Sequence, residues 1–567
     1  MDKKIVIVGG VAVGATAATR LRRLSENIEV VLFEKGPHIS FANCGLPYHI
    51  GGTITKREKL LLQTPESMHN RFNLDVRVNS EVMQINRQEK TISVKNLITG
   101  NTYTEGYDYL ILAPGARPVV PPVPGIDKAT NLFTLRNVPD TDKINAFIEL
   151  EQPANAVVIG GGFIGVEMAE NLAERGIHVT MVEMMPQLMA LMDMEIAQYI
   201  HRELQQHGIS LQLGNGLQAF ENEGRKVVLK DGTTLHADMV ILAIGVRPET
   251  ELAKHAGLEL GSLGGILVND RLQTSDPFIY AGGDAVDVNC PVANKPTRVP
   301  LAWPANRQAR LIADNIMGAD KRYPGTLGTG IIKIFDKVAA ATGLSENLLK
   351  KHGITNYKVV HIHPNNHAGY YPGASPITLK MVFDATTGKI MGAQAFGKDG
   401  VDKRIDVLAT AIKAGMTVYD LQELELAYAP PFGSAKDPVN MLGYVGTNVL
   451  EGVINPIQWH ELDAFMQAGG ILVDVRTPRE YQSGHVEGAI NLPVDDLRDR
   501  LNFFTPEQNY ALICGVGQRA YYANQILHHH GIDHVRLVSG GFMLYDVASH
   551  DYTDHHEEGE MEMLLHG

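Results

Sequence analysis

The sequence predicts an α/β protein of several domains, with two Rossmann-like βαβ units in its first half and a separate α/β unit near its C-terminus. Three observations carry this reading. Apolar strands run into Gly9-Gly10-Val11-Ala12-Val13-Gly14 and again into Gly160-Gly161-Gly162-Phe163-Ile164-Gly165, each followed by a helical stretch. A third apolar strand, Ala511-Leu512-Ile513, opens into the loop Cys514-Gly515-Val516-Gly517-Gln518-Arg519. The 567 residues leave room for about four domains.

The first unit begins with a strand over residues 4–8, turns at the glycines and continues as a helix through Leu24. Gly9 and Gly10 permit a tight turn and Gly14 a close helix-to-strand approach, while the helix start near Ala12 offers free N–H groups to a pyrophosphate. Val11 stands where the middle glycine of the pattern belongs. The next strand, 30–33, ends at Glu34, 20 residues past Gly14, a spacing suited to a carboxylate on a ribose hydroxyl.

The second unit fills all three glycine places, at Gly160, Gly162 and Gly165, and its following strand ends at Glu183. A carboxylate there accepts from a 2′-hydroxyl and repels a 2′-phosphate, and Met184-Met185-Pro186 supplies no arginine. NADH is therefore expected over NADPH. A chain with two such loops most simply binds two dinucleotides.

Charge and composition narrow the partners. The net charge of -14 disfavours nucleic acid, whose binding rests on neutralised phosphates. No uncharged apolar run reaches the roughly 18 residues of a bilayer span, so no membrane role is expected. Only 3 cysteines are present, which suits a reducing, cytoplasmic setting. Lys3 and Lys4 followed by small residues to Thr19 imitate a secretory signal, but the glycines sit where a phosphate loop needs them and Arg20, Arg22 and Arg23 follow at once. The acidic tail, 551–567, with His555 and His556, is expected to be disordered, and no metal site is expected from its spacing.

The stretch Thr274 to Asp284, ending Tyr280-Ala281-Gly282-Gly283-Asp284, together with Ala113-Pro114-Gly115-Ala116-Arg117-Pro118 and Ala243-Ile244-Gly245-Val246-Arg247-Pro248, resembles the two-dinucleotide flavoprotein disulfide reductases. The resemblance implies FAD on the first loop, NADH on the second, and Asp284 on the ribityl chain. It also implies contacts from Ala113, Pro114, Gly115, Arg117, Phe163, Ile164 and Gly245, and flavin contacts from Lys35, Asn43, Pro300, Leu301, Ala302 and Tyr428. Its domain order is FAD (1–117 and 245–324), NADH (118–244), an α+β dimerisation domain (325–447), a linker (448–456) and the C-terminal α/β unit (457–550).

Cys44 stands alone in Ser40-Phe41-Ala42-Asn43-Cys44-Gly45-Leu46-Pro47-Tyr48, with no cysteine nearer in sequence than Cys290. An internal dithiol cycle is disfavoured. A single thiol either cycles through sulfenic acid, as in NADH oxidases and peroxidases, or forms a mixed disulfide with a small thiol. The peroxidase and oxidase relatives carry histidine where this chain has Ala12.

The Ser40 to Tyr48 stretch resembles the coenzyme A disulfide reductases. That resemblance implies coenzyme A contacts at Thr16, Arg20, Arg23, Ser40, Asn43, Arg71, Asn306 and Lys436, where basic side chains form charge-assisted bonds to phosphates. The segments around His367-Ala368-Gly369-Tyr370-Tyr371 and Ala427-Tyr428-Ala429-Pro430-Pro431 resemble the same family's dimerisation domain. In a homodimer, the resemblance implies, Tyr370 and Tyr428 of one subunit reach the Cys44 site of the other and donate to a leaving thiolate or sulfide, with Tyr371 structural.

From Ile471-Leu472-Val473-Asp474-Val475-Arg476 through Gly484-His485-Val486-Glu487-Gly488 to Ser539-Gly540-Gly541-Phe542, the last unit resembles a rhodanese domain. The Cys514 loop then wraps a persulfide in backbone N–H groups at a helix start, with Arg519 adding charge. Cys290 has no such setting and reads as structural. The leading expectation is an FAD-dependent, NADH-driven reductase of coenzyme A disulfides, coenzyme A persulfides and related polysulfides, with Cys514 carrying sulfane sulfur. The alternatives are an NADH oxidase or peroxidase using Cys44, and a last domain that only binds sulfur or docks.

Overall fold

The structure is a computed structural model that describes residues 3–553. The tail expectation, from residue 554 on and including His555 and His556, lies outside the described residues. The chain folds as two compact units, the first of residues up to Met184 with Asn215–Gly328, the second of Met185–Gly214 with Thr329 onward.

In the first unit, Lys4–Val8 is the centre of a parallel sheet ordered Ile279–Ala281, Tyr109–Leu112, Lys4–Val8, Glu29–Phe33, Asp75–Arg77. Its strands are Val- and Ile-rich because both faces are covered. Ile5, Ile7, Val30 and Leu32 face one apolar core, and Val6, Val31 and Phe33 the other. Each such side chain, fully buried, is worth about 1.5–3 kcal/mol. The helix Ala12–Leu24 packs on the helix Ala302–Ile316, while the strand Ile279–Ala281 joins the same sheet beside Tyr109–Leu112.

A second parallel layer is ordered His178–Glu183, Asn155–Ile159, Met239–Leu242, Leu132–Phe133. The crossing segments meet as a short antiparallel pair, Ala116–Pro118 with Val246–Pro248, placing Arg117 opposite Arg247.

The second unit contains an antiparallel sheet ordered Gly330–Ile334, Lys337–Gly343, Ile390–Gly397, Ile377–Asp384, Tyr357–Ile362. The helices Val401–Ala414 and Pro438–Leu450 pack on it. A parallel sheet follows, ordered Pro456–Ile457, Val535–Val538, Tyr510–Ile513, Ile471–Asp474, Ile490–Asn491.

The helix Met194–Gln206 belongs to this unit. The wholly buried ammonium of Lys380 lies 2.8 Å from Asp193, 2.5 Å from Glu195 and 2.6 Å from Glu346. These three acids are grouped closely enough to hold a cation, and the lysine fills that place. Its charge holds Glu195 and Glu346 below the ordinary glutamate range against the opposing effect of burial.

Among the described residues no helix is long and apolar enough to cross a membrane.

Candidate active site

The two glycine loops are built alike. Gly9 has φ +98°, and a Cβ there would lie 2.0 Å from the Ala113 carbonyl oxygen; one on Gly14 would lie 1.7 Å from that of Gly9. Gly160 has φ +110° and comes equally close to Ala243, and Gly165 to Gly160. Only glycine permits these approaches. The helices Ala12–Leu24 and Phe163–Glu174 start without a side-chain cap and without an acid in the first turn. Their N–H groups are left to an anion.

Each loop is closed by its strand-end carboxylate. Glu34 accepts from the Gly10 N–H at 2.8 Å and the Gly36 N–H at 2.7 Å, and Glu183 from the Gly161 N–H at 2.7 Å. The space beyond Gly162, and beyond Gly115 and Gly245 at φ +71° and +114°, is open. These cradles fit two dinucleotides: narrow where backbone must meet backbone, open where a phosphate must approach. Phe163 and Ile164 begin the second helix. Lys35 turns to Glu81 at 2.7 Å, and Arg117 and Arg136 both reach Glu249 at 3.4 Å.

Asp284 follows the returning strand in the short turn Gly283–Ala285, where the Gly283 N–H donates to Gln308 at 2.7 Å. Burial pushes its carboxyl up, with Arg136 opposing. Pro300 and Leu301 lead into the helix that Ala302 opens, again without a side-chain cap or an early acid.

Cys44 lies in the turn Asn43–Gly45, ahead of the helix Leu46–Ile50, and is exposed and free. Protein walls around it push the thiol up, and the carboxylates of Glu167 and Asp284 add to this. Tyr48 ends the Cys44 stretch, and Glu167 lies on the helix Phe163–Glu174 behind the second glycine loop. The structure joins them: the Tyr48 hydroxyl is bonded to the Glu167 carboxyl. Burial, with Glu170 nearby, raises Glu167 to about 7. A helix-face glutamate four residues into a second nucleotide helix was the available signal, but only the fold brings it to Cys44.

Ser40 holds the left-handed conformation, φ 44°, and is pinned by the Gly10 and Leu62 backbones; such strain clusters at functional turns. Thr16 donates to Asn306 at 2.6 Å. Arg20 is paired with Asp314 at 2.7 Å, leaving its other N–H groups, whereas Arg23 and Arg71 are exposed. Arg22 is buried and spends its donors on the Phe72, Asn73 and Glu26 carbonyls.

In the second unit, the hydroxyls of Tyr370 and Tyr428 meet at 3.1 Å. Both side chains are exposed, as is Lys436. Tyr371 instead packs edge-on against His367.

Cys514 is fully buried at the foot of its loop. Its sulfur accepts from the Gly517 N–H at 3.2 Å and the Ala520 N–H at 3.4 Å, and Gly517, at φ +98°, starts the helix Gln518–His528. Arg519 forms a two-pronged pair with Glu480 at 2.7 and 2.6 Å. Arg519 holds Glu480 down to about 2. Glu480 also caps its own helix through Thr477, so a single carboxylate fixes both a helix start and the arginine's aim. Asp474 and Arg476 form a buried pair that carries the Gly484 carbonyl, with the guanidinium over Phe542. Cys290 is buried in the strand Val286–Cys290.

Comparison with known proteins agrees with this geometry. Residues 3–309 match the pyridine nucleotide-disulphide oxidoreductase family, 331–438 its dimerisation domain and 458–547 a rhodanese-like domain. Coenzyme A disulfide reductase of Staphylococcus aureus is 40% identical over 443 residues, covering 78% of this chain and 99% of that protein. Among solved structures, reduced CoADR-RHD of Bacillus anthracis is 55% identical with a TM-score of 0.95, over 97% of this chain and 98% of that one. The NAD-dependent persulfide reductase of A. fulgidus is 35% identical with a TM-score of 0.90, over 96% and 100%. The water-forming NADH oxidase of Lactobacillus brevis is more distant, at 27% identity, a TM-score of 0.76 and 80% of this chain with 100% of that one.

Proposed function

The chain belongs to the pyridine nucleotide-disulphide oxidoreductase family, and we propose that it is an FAD- and NADH-dependent reductase of coenzyme A disulfide and coenzyme A persulfide, acting as a homodimer in the cytoplasm. The observation that carries this reading is the solitary exposed Cys44, with the other two cysteines free and buried. One thiol with no resolving partner either cycles through sulfenic acid or exchanges with a small external thiol, and Ala12, in place of the histidine of the oxidase and peroxidase relatives, favours exchange.

Bound FAD would supply the two-electron link between NADH and the sulfur–sulfur bond formed on Cys44. Gly9, Gly10, Gly14, Glu34 and Asp284 would hold it, and the Gly160 loop with Glu183 would hold NADH.

The Cys44 thiolate attacks one sulfur of the coenzyme A disulfide. A Cys44–S–S–coenzyme A bond forms as the substrate bond breaks, and coenzyme A leaves as a thiolate. With a persulfide, Cys44 takes the outer sulfur and coenzyme A again leaves. Two electrons and a proton then return Cys44 and release coenzyme A or sulfide. Tyr370 and Tyr428, supplied by the second copy, are placed in this reading as donors to the departing sulfur. Glu167 holds a proton beside Cys44, and in the protonated state it withdraws a negative charge that opposes thiolate formation.

Thr16, Arg20, Arg23, Ser40, Asn43, Arg71, Asn306 and Lys436 are the residues we assign to coenzyme A. Cys514 would accept sulfane sulfur, from small persulfides or polysulfides, and pass it to coenzyme A. The similarity to the A. fulgidus persulfide reductase across 96% of the chain, last domain included, favours persulfide over disulfide as the substrate in the cell.

The test is NADH consumption by purified yellow protein with one oxidant supplied at a time, air being excluded except where oxygen is that oxidant. Turnover with coenzyme A disulfide or persulfide, lost in Cys44→Ser, supports the assignment. Efficient turnover with peroxide or oxygen, and none with either coenzyme A species, would assign the enzyme to the oxidase and peroxidase branch.

A further inference from the structure

We propose that Ser539 is a positioning residue for sulfur transfer at Cys514, and that it is itself held from outside the sulfur-transfer domain, by His361 of the antiparallel sheet. The inference rests on the assignment of sulfur transfer to Cys514.

The turn after Ser539 grips the cysteine loop. The Phe542 N–H donates to the Cys514 carbonyl at 2.8 Å and the Met543 N–H to that of Gly515 at 3.0 Å. A Cβ on Gly541, φ +63°, would lie 2.5 Å from the Cys514 carbonyl oxygen. No other residue fits there. Gly540, φ +75°, is crowded first by Leu544 of the following helix, 2.7 Å from where a Cβ would stand, and on the sheet side that Cβ would come within 3.2 Å of the His361 Cβ. The Gly540-Gly541 pair is thus pinched between the cysteine loop and the strand Tyr357–Ile362.

Ser539 sets the place of that pinch. Its hydroxyl oxygen accepts from the His361 backbone N–H at 3.2 Å and lies 2.9 Å from His361 Nδ1. His361 Nε2 faces a Glu195 carboxylate oxygen at 3.0 Å. A carboxylate only accepts, so Nε2 carries hydrogen; in the neutral ring Nδ1 then accepts from the serine hydroxyl. Glu195 in turn is held by Lys380. Every polar group in this buried chain from Lys380 to Ser539 has a partner of the matching kind, the condition under which such networks fix one geometry.

The attachment is also broad. The helix Met194–Gln206 donates from Tyr199 to the Met543 carbonyl at 3.3 Å, from Gln198 to that of His550 at 2.9 Å and from Gln205 to that of Tyr552 at 2.8 Å. The Cys514 loop therefore takes its shape from two flanking elements outside its own domain. On this account the domain works as a fixed station, and the sulfur carrier does the travelling.

The test uses the full-length, FAD-loaded protein and two readings: transfer of sulfane sulfur from glutathione persulfide to cyanide, and NADH-driven reduction of coenzyme A disulfide. Ser539→Ala is expected to lower kcat for transfer between about tenfold and a hundredfold, with KM for the persulfide within about twofold and coenzyme A disulfide reduction unchanged. Ser539→Thr, which keeps the hydroxyl, is expected to restore most of the transfer. His361→Gln should lose transfer as Ser539→Ala does.

Wild-type transfer rates in Ser539→Ala, or equal losses in the Ala and Thr variants, would overturn the proposal. So would a parallel loss of both activities in Ser539→Ala, which would mark a general folding role. Unchanged transfer in His361→Gln would overturn the link to the sheet. If Cys514→Ser transfers as well as the wild type, the assignment of sulfur transfer to Cys514 fails instead.

Discussion

The hydroxyls of Tyr370 and Tyr428, 58 residues apart in sequence, meet at 3.1 Å on an exposed face. In such a pair one phenol donates to the other, and the contact pushes the Tyr370 hydroxyl up. Such a pair, carried to a reacting sulfur, can donate one proton while the second hydroxyl supports the first.

Loss of either hydroxyl should therefore slow the sulfur step and spare the hydride step. Tyr428→Phe is expected to lower kcat with coenzyme A disulfide about a hundredfold. In stopped-flow measurements the rate of flavin bleaching by NADH should stay at the wild-type value.

Removing the Glu167 charge should free the Cys44 thiolate. Because that carboxylate raises the thiol, Glu167→Gln lowers the Cys44 pKa, and iodoacetamide alkylation of Cys44 at pH 7 should speed up about three- to tenfold. In the wild type, with Glu167 raised to about 7, the ionised carboxylate opposes the thiolate above that pH and is protonated below it. The alkylation-pH curve should therefore be flatter than a single titration, and steeper in the variant.

The second glycine loop makes a prediction about the nucleotide. Glu183→Ala should cut kcat/KM for NADH about tenfold, the scale of a lost bond to a charged acceptor. It should also narrow the preference over NADPH, since the repulsion of a 2′-phosphate disappears. Steady-state kinetics with both nucleotides decide this.

Lys380 offers a stability test. Lys380→Met fills similar space but leaves three carboxylates together in the interior, and is expected to cost about 3–5 kcal/mol, read as a lower melting transition by calorimetry. The depressed Glu195 and Glu346 contribute stability above the ordinary glutamate value of 4.5. That contribution should drain away as pH falls below it in the wild type; in the variant it should be absent.

Much of this molecule is legible in its residues. The strand–glycine–helix order gave both nucleotide cradles because backbone crowding at Gly9, Gly14, Gly160 and Gly165 leaves no other residue type. The Cys514 loop was legible for the same reason, through Gly517 and the helix start behind it. Long-range polar partners were not. Glu480 on Arg519, Glu167 on Tyr48 and Glu195 on His361 join residues from separate elements, and nothing in a local pattern reports which acid will face which base after folding. The helix Met194–Gln206 likewise joins the second unit through partners remote in sequence, Glu195 meeting Lys380 nearly two hundred residues away.

Exchange of a bond between Cys44 and coenzyme A is the step on which the proposed reaction turns. The most direct measurement is mass analysis of Cys44 in protein mixed anaerobically with coenzyme A disulfide, before and after NADH. The expected result is one coenzyme A joined to Cys44 by a disulfide and released on NADH addition. An unmodified Cys44, or an adduct that NADH leaves in place, would contradict it.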